Sequence, residues 1–154
     1  MTYRYTLEKN GEGYVDLTAC KAIKKAAKSQ NRIKRNESVE QKTLIEWANL
    51  QSKKHKELNM LFHIPNEGKR SPRTGAELKR LGLKPGVPDL FLAVPRPING
   101  VPWGGLFIEM KVNNNKCTEN QKKWIRNLLQ YGYQVKVAYS ADEAINIIKE
   151  YLEI

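Results

Sequence analysis

The sequence has no apolar stretch that approaches the roughly 20 residues a membrane-spanning helix requires, and its N-terminus lacks the apolar core of a signal peptide. Its two cysteines, Cys20 and Cys117, lie far apart and neither has a CxxC partner. A structural zinc site and a disulfide framework are therefore not indicated, and reduced thiols are expected. These absences predict an intracellular, cytoplasmic protein with no membrane partner.

Acidic residues are scarce relative to basic ones. The 154-residue chain has 27 lysines and arginines against 16 aspartates and glutamates, which gives a formal net charge of +11. Such an excess predicts a polyanionic partner, either nucleic acid or an anionic membrane surface, and the lack of any membrane segment favours nucleic acid. The length suits one domain that can bury a core without disulfides.

Hydrophobic periodicity predicts an α/β domain over residues 37–154, in the order helix, three strands, helix, strand, helix, with the last strand parallel to the third. Helices are expected over 37–51, 118–131 and 141–152, and strands over 61–64, 89–95, 104–111 and 134–139. Residues 66–85 resemble a basic loop with a short helical piece near 75–81. The prolines of 95–103 indicate a plain connection between two strands.

Residues 1–36 form a separate basic extension in this interpretation. A hairpin is predicted with strands over 3–7 and 13–17, followed by a helix over 18–29. Its basic face is either solvated or in contact with phosphates, and the extension could dimerise or widen a DNA-binding face.

Two acids interrupt apolar strands, where a lone carboxylate is costly unless it is paired or binds a metal. Alternation along the strand places Glu109 and Lys111 on the same face, about 7 Å apart. Asp89 begins the preceding strand, and neighbouring strands lie only about 5 Å apart. Two carboxylates and one ammonium can therefore converge at one end of the sheet.

This convergence suits phosphodiester hydrolysis. Closely placed carboxylates repel unless a cation lies between them, and oxygen ligands without histidine or thiolate favour Mg²⁺ or Mn²⁺. Such a metal polarises the phosphate and activates water, while Lys111 orients that water or offsets the developing charge. The alternative is that Glu109 and Lys111 form an ion pair at a solvated strand end.

Gly86-Val-Pro-Asp89, followed about twenty residues later by Glu109-Met-Lys111, resembles the signature of the PD-(D/E)XK nuclease superfamily. The match is specifically to the small stand-alone VRR-NUC proteins found in phages. The resemblance covers roughly residues 37–152 and includes three further segments, Glu37–Gln41, His63–Ser71 and Thr118–Gln121. It implies a restriction-endonuclease-like core in αβββαβ order, with helices around a mixed sheet, and metal-dependent cleavage of DNA.

The same resemblance implies roles for individual residues. Asp89 and Glu109 hold the Mg²⁺ or Mn²⁺ ions, and the carbonyl of Met110 is a further ligand. Lys111 is the catalytic lysine, and Gln121 approaches the site from the following helix.

In the nuclease superfamily that the sequence resembles, a glutamate from the first helix usually completes the catalytic and metal-binding set. Glu37 is the preferred residue because it shares a helical face with Gln41, Leu44 and Ala48. Glu40 lies on the flank of that face and is the alternative.

Contacts with DNA phosphates are expected from the basic loop and from the start of the helix after the motif, at Asn66, Lys69, Arg70, Ser71, Arg73, Lys116, Lys122 and Lys123. His63 is interpreted as a packed or DNA-contacting residue without a catalytic role. Because stand-alone members of the family resemble Holliday-junction resolvases, branched DNA and a two-fold homodimer are expected. A restriction-type, nicking or flap nuclease, or a non-catalytic DNA-binding module, are the alternatives.

Overall fold

The computed structural model describes residues 7–9, 14–16, 36–66, 72–113 and 115–154, and divides the chain into two compact units, Met1–Lys34 and Arg35–Ile154. In the first unit, β1 (Leu7–Lys9) pairs antiparallel with β2 (Tyr14–Asp16). A hairpin is therefore present, although Lys9, predicted to lie in its turn, pairs with Tyr14. The helix predicted over 18–29 lies outside the described residues.

The second unit is built around a four-stranded mixed sheet in the strand order β3-β4-β7-β8. Strand β7 runs antiparallel to β4 and parallel to β8, as the sequence predicts. In chain order the elements of this unit are α1 (Glu37–Gln51), a 3₁₀ helix (Lys56–Met60), β3 (Leu61–His63), α2 (Pro72–Arg80), β4 (Leu90–Leu92), β5 (Arg96–Ile98), β6 (Val101–Trp103), β7 (Leu106–Met110), α3 (Glu119–Gln130), β8 (Gln134–Ala138) and α4 (Ala141–Leu152).

Helices cover both faces of this sheet because the central strand is apolar on both sides. Leu106 of β7 belongs to a buried cluster with Leu44 of α1 and Ile148 of α4. The next residue, Phe107, belongs to a second cluster with Leu128 of α3. All five residues of β7 are buried, as expected for a strand between two helical layers. The predicted α/β class and the order of the core elements are confirmed.

The predicted plain connection over 95–103 is wrong, because these residues form the hairpin of β5 and β6. Asn99 and Gly100 occupy its two-residue turn with φ of 51° and 78°, the left-handed geometry of a type I′ turn. Pro97 lies opposite Pro102. In an antiparallel ribbon hydrogen-bonded and non-hydrogen-bonded pairs alternate, and the pair that closes a two-residue turn is hydrogen-bonded. The prolines occupy the next pair, so they remove no ladder bond.

Three helices of the second unit, α1, α3 and α4, begin at side-chain caps. Asn36 accepts from Ser38 N at 3.1 Å, Thr118 forms a capping box with Gln121, and Ser140 accepts from Glu143 N at 3.1 Å. The helix in the basic loop spans nine residues and begins earlier than the predicted 75–81. In the described parts of the chain, no helix has the length and apolarity needed to cross a membrane.

Candidate active site

Four polar side chains are buried together at the adjoining ends of β4 and β7. Asp89, Glu109, Lys111 and Gln121 are each at most 7% exposed, and among the described residues no other charged or amide side chain is buried. Because burying an isolated charge is costly, such a cluster persists where its members compensate one another or bind a ligand. The structure thus brings together the two acids, the lysine and the glutamine that the sequence singles out.

The pairing of β4 with β7 positions Asp89. The two strands place Leu90 opposite Ile108, and continuing this register places Asp89 opposite Glu109. The Oδ2 atom of Asp89 accepts a hydrogen bond from Met110 N at 2.8 Å. Its carbonyl oxygen accepts from Ile64 N at 2.7 Å. Asp89 is therefore held through both its side chain and its main chain.

Glu109 is positioned by two donors on the same oxygen. Its Oε1 atom accepts from Lys111 Nζ at 2.5 Å and from Gln121 Nε2. The Oε1 atom of Gln121 accepts in turn from Thr118 N at 2.8 Å, within the capping box of α3. Since the Thr118 N–H requires an acceptor, the amide orientation of Gln121 is determined, and its NH₂ group is directed to Glu109. The cap of α3 therefore orients a buried carboxylate of the site.

The first helix contributes Glu37 to the site. Its Oε1 atom lies 4.0 Å from Lys111 Nζ, and its side chain lines the adjoining cleft. Glu40 points elsewhere, since its Oε2 atom accepts from Ala141 N at 2.7 Å, at the start of α4. Of the two glutamates considered from the sequence, the structure brings Glu37 beside Lys111 and uses Glu40 at the N-terminus of α4.

Lys111 is an ammonium donor in this environment. Burial by itself lowers its pKa, but the hydrogen bond and charge of Glu109, with the charges of Glu37 and Asp89, outweigh burial. The pKa is therefore held above its ordinary value of 10.5. An ammonium has three donors and no acceptor lone pair, so at neutral pH Lys111 supplies positive charge and hydrogen bonds, not a basic atom.

A cleft of about 600 Å³ adjoins this cluster. Residues from α1, from the end of β3 and from the β4 and β7 ends line it: Glu37, Ser38, Gln41, Lys42, Ile45, Glu46, His63, Asp89 and Met110. Sequence reasoning gave no role to Ser38 or Lys42, and it interpreted His63 as a packed or DNA-contacting residue without a catalytic role. The side of the cleft formed by α1 can be recognised in the sequence from the i, i+4 spacing of Glu37, Gln41 and Ile45, which places these three side chains on one face of the helix.

The donor atoms of the site suit a hard divalent cation. In the part of the chain that the structure describes, no three His, Cys, Asp or Glu side chains form a ready-made metal cage. The buried acids are Asp89 and Glu109, and the carbonyl of Met110 lies beside them and accepts from Lys111 Nζ at 3.1 Å. Mg²⁺ is commonly bound by one or two carboxylates and keeps its remaining positions for water and phosphate. The all-oxygen set therefore fits Mg²⁺ or Mn²⁺, with Glu37 as a nearby third carboxylate.

The residues that were expected to contact phosphates lie in different environments. Asn66 donates from Nδ2 to Val87 O at 3.0 Å, so its amide supports the segment that leads to Asp89. Lys69, Arg70 and Ser71 lie outside the described residues, as does the side chain of Arg73. At the start of α3, Lys116, Lys122 and Lys123 are exposed, and Lys122 pairs with Glu119 at 2.7 Å. All three lysines therefore lie on the surface.

Replacing Gly86 with alanine is expected to destabilise the fold and disturb the site, because the Gly86 backbone packs directly on the first turn of α3. A Cβ atom there would lie 2.7 Å from the backbone carbon of Asn120 and 2.9 Å from Gln121 N. The φ of +85° at this position would also strain the backbone of an alanine. We expect Gly86→Ala to lower the free energy of unfolding by roughly 2–4 kcal/mol, combining left-handed strain with overpacking, as measured by urea denaturation.

Gly82→Ala is the matched control for this prediction. Gly82 has a similar φ of +98°, but a Cβ atom there meets nothing within 4 Å. This variant should therefore show the backbone strain alone, roughly 1–2 kcal/mol. Equal losses in the two variants would show that the contact of Gly86 with α3 contributes nothing.

The comparisons with known proteins agree with this geometry. A family model described as the VRR-NUC domain matches residues 25–142. A solved structure of a VRR_NUC domain protein is similar to this chain, with a TM-score of 0.64 and 30% sequence identity, over 77% of this chain and 89% of the other. The comparison with curated proteins found no match. The structural similarity supports the restriction-endonuclease-like fold.

Proposed function

The chain belongs to the VRR-NUC domain family, whose domain is of the nuclease type that processes DNA, and we propose that it is a metal-dependent endonuclease of branched DNA, similar in action to a Holliday-junction resolvase. The joint burial of Asp89, Glu109, Lys111 and Gln121 carries this proposal. An ion pair at a solvated strand end would be exposed, whereas Glu109 is 0% exposed. Charged groups buried beside an open cleft are typical of a reactive site.

We propose that Asp89, Glu109 and the Met110 carbonyl, with Glu37 nearby, would hold Mg²⁺ or Mn²⁺. When bound, such an ion polarises the phosphate and lowers the pKa of a coordinated water. The donor set supports this proposal because it consists of oxygen atoms, and three of the residues that supply them, Glu37, Asp89 and Met110, line the cleft of about 600 Å³.

The protein residues around these acids have distinct tasks. The Lys111 ammonium donates to phosphate oxygens as negative charge develops on them during attack by water. Gln121 keeps the carboxylate of Glu109 in one orientation through the α3 cap. This arrangement is formed before the substrate arrives, so little reorganisation is needed during reaction.

Binding to DNA is attributed mainly to positive charge. The net charge of +11 and the exposed Lys116, Lys122 and Lys123 support contacts with the phosphate backbone. Such contacts position DNA without reading its sequence, which suits recognition of a branched shape. Two symmetric nicks in a four-way junction would require two sites, and a two-fold homodimer is the simplest assembly that supplies them.

The test compares a labelled four-way junction, its matched linear duplex and a flap, each with Mg²⁺, Mn²⁺ or EDTA. Paired symmetric nicks in the junction, absent with EDTA, are the expected result. Preference for the linear duplex or the flap would indicate a restriction-type or flap nuclease, and single nicks a nicking enzyme. Binding without cleavage of any substrate would indicate a non-catalytic DNA-binding module and contradict the proposed activity.

A further inference from the structure

His63 lies at the end of β3 and its ring is tied to the main chain of Asp89. Its Nδ1 atom is 2.9 Å from the carbonyl oxygen of Asp89. A carbonyl oxygen can only accept a hydrogen bond, so Nδ1 must carry the hydrogen. In the neutral ring the acceptor lone pair is then on Nε2. The fold thus selects one tautomer of this histidine.

The position of His63 gives that lone pair access to the cleft. The side chain is exposed, and it lines the cleft together with Asp89, Met110 and Glu37. Nδ1 and Nε2 lie on different edges of the imidazole ring. Because the Nδ1 edge is engaged with the Asp89 carbonyl, the Nε2 edge is the part of the ring left for the cleft and its contents.

The proposed hydrolysis needs an acceptor of this kind. A water molecule that attacks phosphorus must donate its hydrogens to neighbouring acceptors if its lone pair is to face the phosphorus atom. The Lys111 ammonium has no lone pair to accept them, and the carboxylate of Glu37 lies 4.0 Å from that same ammonium. In the neutral ring, Nε2 of His63 is an acceptor, and the ring is held beside Asp89 by a hydrogen bond from Nδ1 to the main chain.

We propose that His63 is a further catalytic residue, whose Nε2 atom accepts a hydrogen bond from the attacking water and orients it toward the phosphate. This inference rests on the proposed function. The water oxygen forms a bond to phosphorus as the bond from phosphorus to the leaving ester oxygen breaks. The proton shed by the water passes to bulk solvent, and the leaving oxygen takes up a proton from solvent, so His63 undergoes no net change.

Two substitutions separate this role from a merely structural one. His63→Asn places an amide NH₂ near the position of Nδ1, so it keeps the donor to Asp89 and loses the distal acceptor. His63→Gln places an amide near the position of Nε2, so it keeps a distal acceptor and loses the anchor. His55→Asn, at the other histidine of the chain and outside the cleft, is the matched control.

Single-turnover cleavage and DNA affinity are measured for each variant on the best-cleaved substrate. We expect His63→Asn to lower the cleavage rate roughly 10- to 100-fold, the effect of losing one hydrogen bond to a reacting group, without change in DNA affinity. His63→Gln should retain more activity than His63→Asn, and His55→Asn should match wild type.

His63→Ala, which loses both the anchor and the acceptor, is the reference variant. The reverse order, with His63→Asn active and His63→Gln as slow as His63→Ala, would show that only the anchor matters and would overturn the proposal. Circular dichroism checks folding. If His63→Asn is unfolded, the proposal is tested with His63→Gln alone. A cleavage rate of His63→Gln near that of wild type supports the proposal, and a rate equal to that of His63→Ala overturns it. Wild type that cleaves no substrate would instead contradict the proposed function itself.

Discussion

Asp89→Asn is expected to reduce DNA cleavage by about 10³-fold or more, which corresponds to a loss of several kcal/mol of transition-state stabilisation. Folding and DNA binding should stay nearly unchanged. Asparagine has nearly the same size as aspartate, and its side-chain oxygen can still accept from Met110 N, now at 2.8 Å from Oδ2. The substitution therefore removes a negative charge and a metal ligand without removing the bond that positions the side chain.

The control for Asp89→Asn is the same change at Asp142, an exposed residue in the first turn of α4. Asp142→Asn should cleave like wild type. Cleavage rates on the junction and Kd values from gel-shift titration would be measured for both variants. Full activity of Asp89→Asn would exclude Asp89 from the metal-binding set, whereas equal loss of binding and cleavage would point to a DNA-contacting role instead.

Lys111→Met is expected to abolish cleavage and also to destabilise the protein by about 3–5 kcal/mol, the usual cost of breaking a buried ion pair on one side. Glu109 is completely buried, and Lys111 Nζ is one of the two donors to its Oε1 atom. Removing the ammonium leaves this charge in the core. Urea denaturation measures the free energy of unfolding, and Lys136→Met, at an exposed position on β8, is the control.

The double variant Lys111→Met with Glu109→Gln identifies the origin of that loss. Because the second change removes the buried charge, we expect it to recover much of the stability while cleavage stays absent. The pH dependence has a fixed sign: with its pKa raised above 10.5, Lys111 contributes its stabilisation below that pH and loses it as the pH rises through the raised value. Wild-type stability in the single variant would show that the Lys111–Glu109 pair is not an important interaction of the fold.

Short spacings along the chain explain why sequence reasoning located this buried cluster. Glu109 and Lys111 are two residues apart on a strand, so their shared face follows from backbone alternation alone. The capping box of Thr118 and Gln121 is likewise local, since it depends on residues three apart. These features are determined by spacing, and the structure places them as predicted.

The prediction for residues 95–103 was wrong because it considered the prolines in isolation. Pro97 and Pro102 argued against strands, yet Asn99-Gly100 between them is itself a hairpin signal. In a two-stranded ribbon a proline costs nothing when its nitrogen lies at a non-hydrogen-bonded pair. Whether that condition holds depends on the register, which neither proline specifies.

The sequence by itself determined the order of the core elements, the strand face shared by Glu109 and Lys111, and the helix that delivers Gln121. Only the tertiary structure decided which glutamate of α1 lies beside Lys111, because this depends on how α1 is rotated against the sheet and on Ala141, 101 residues from Glu40. It also decided the partner of the His63 ring, the Asp89 carbonyl, which is 26 residues away. The physical reason is that periodicity specifies the face on which a side chain lies, whereas packing between distant segments specifies the atoms it meets.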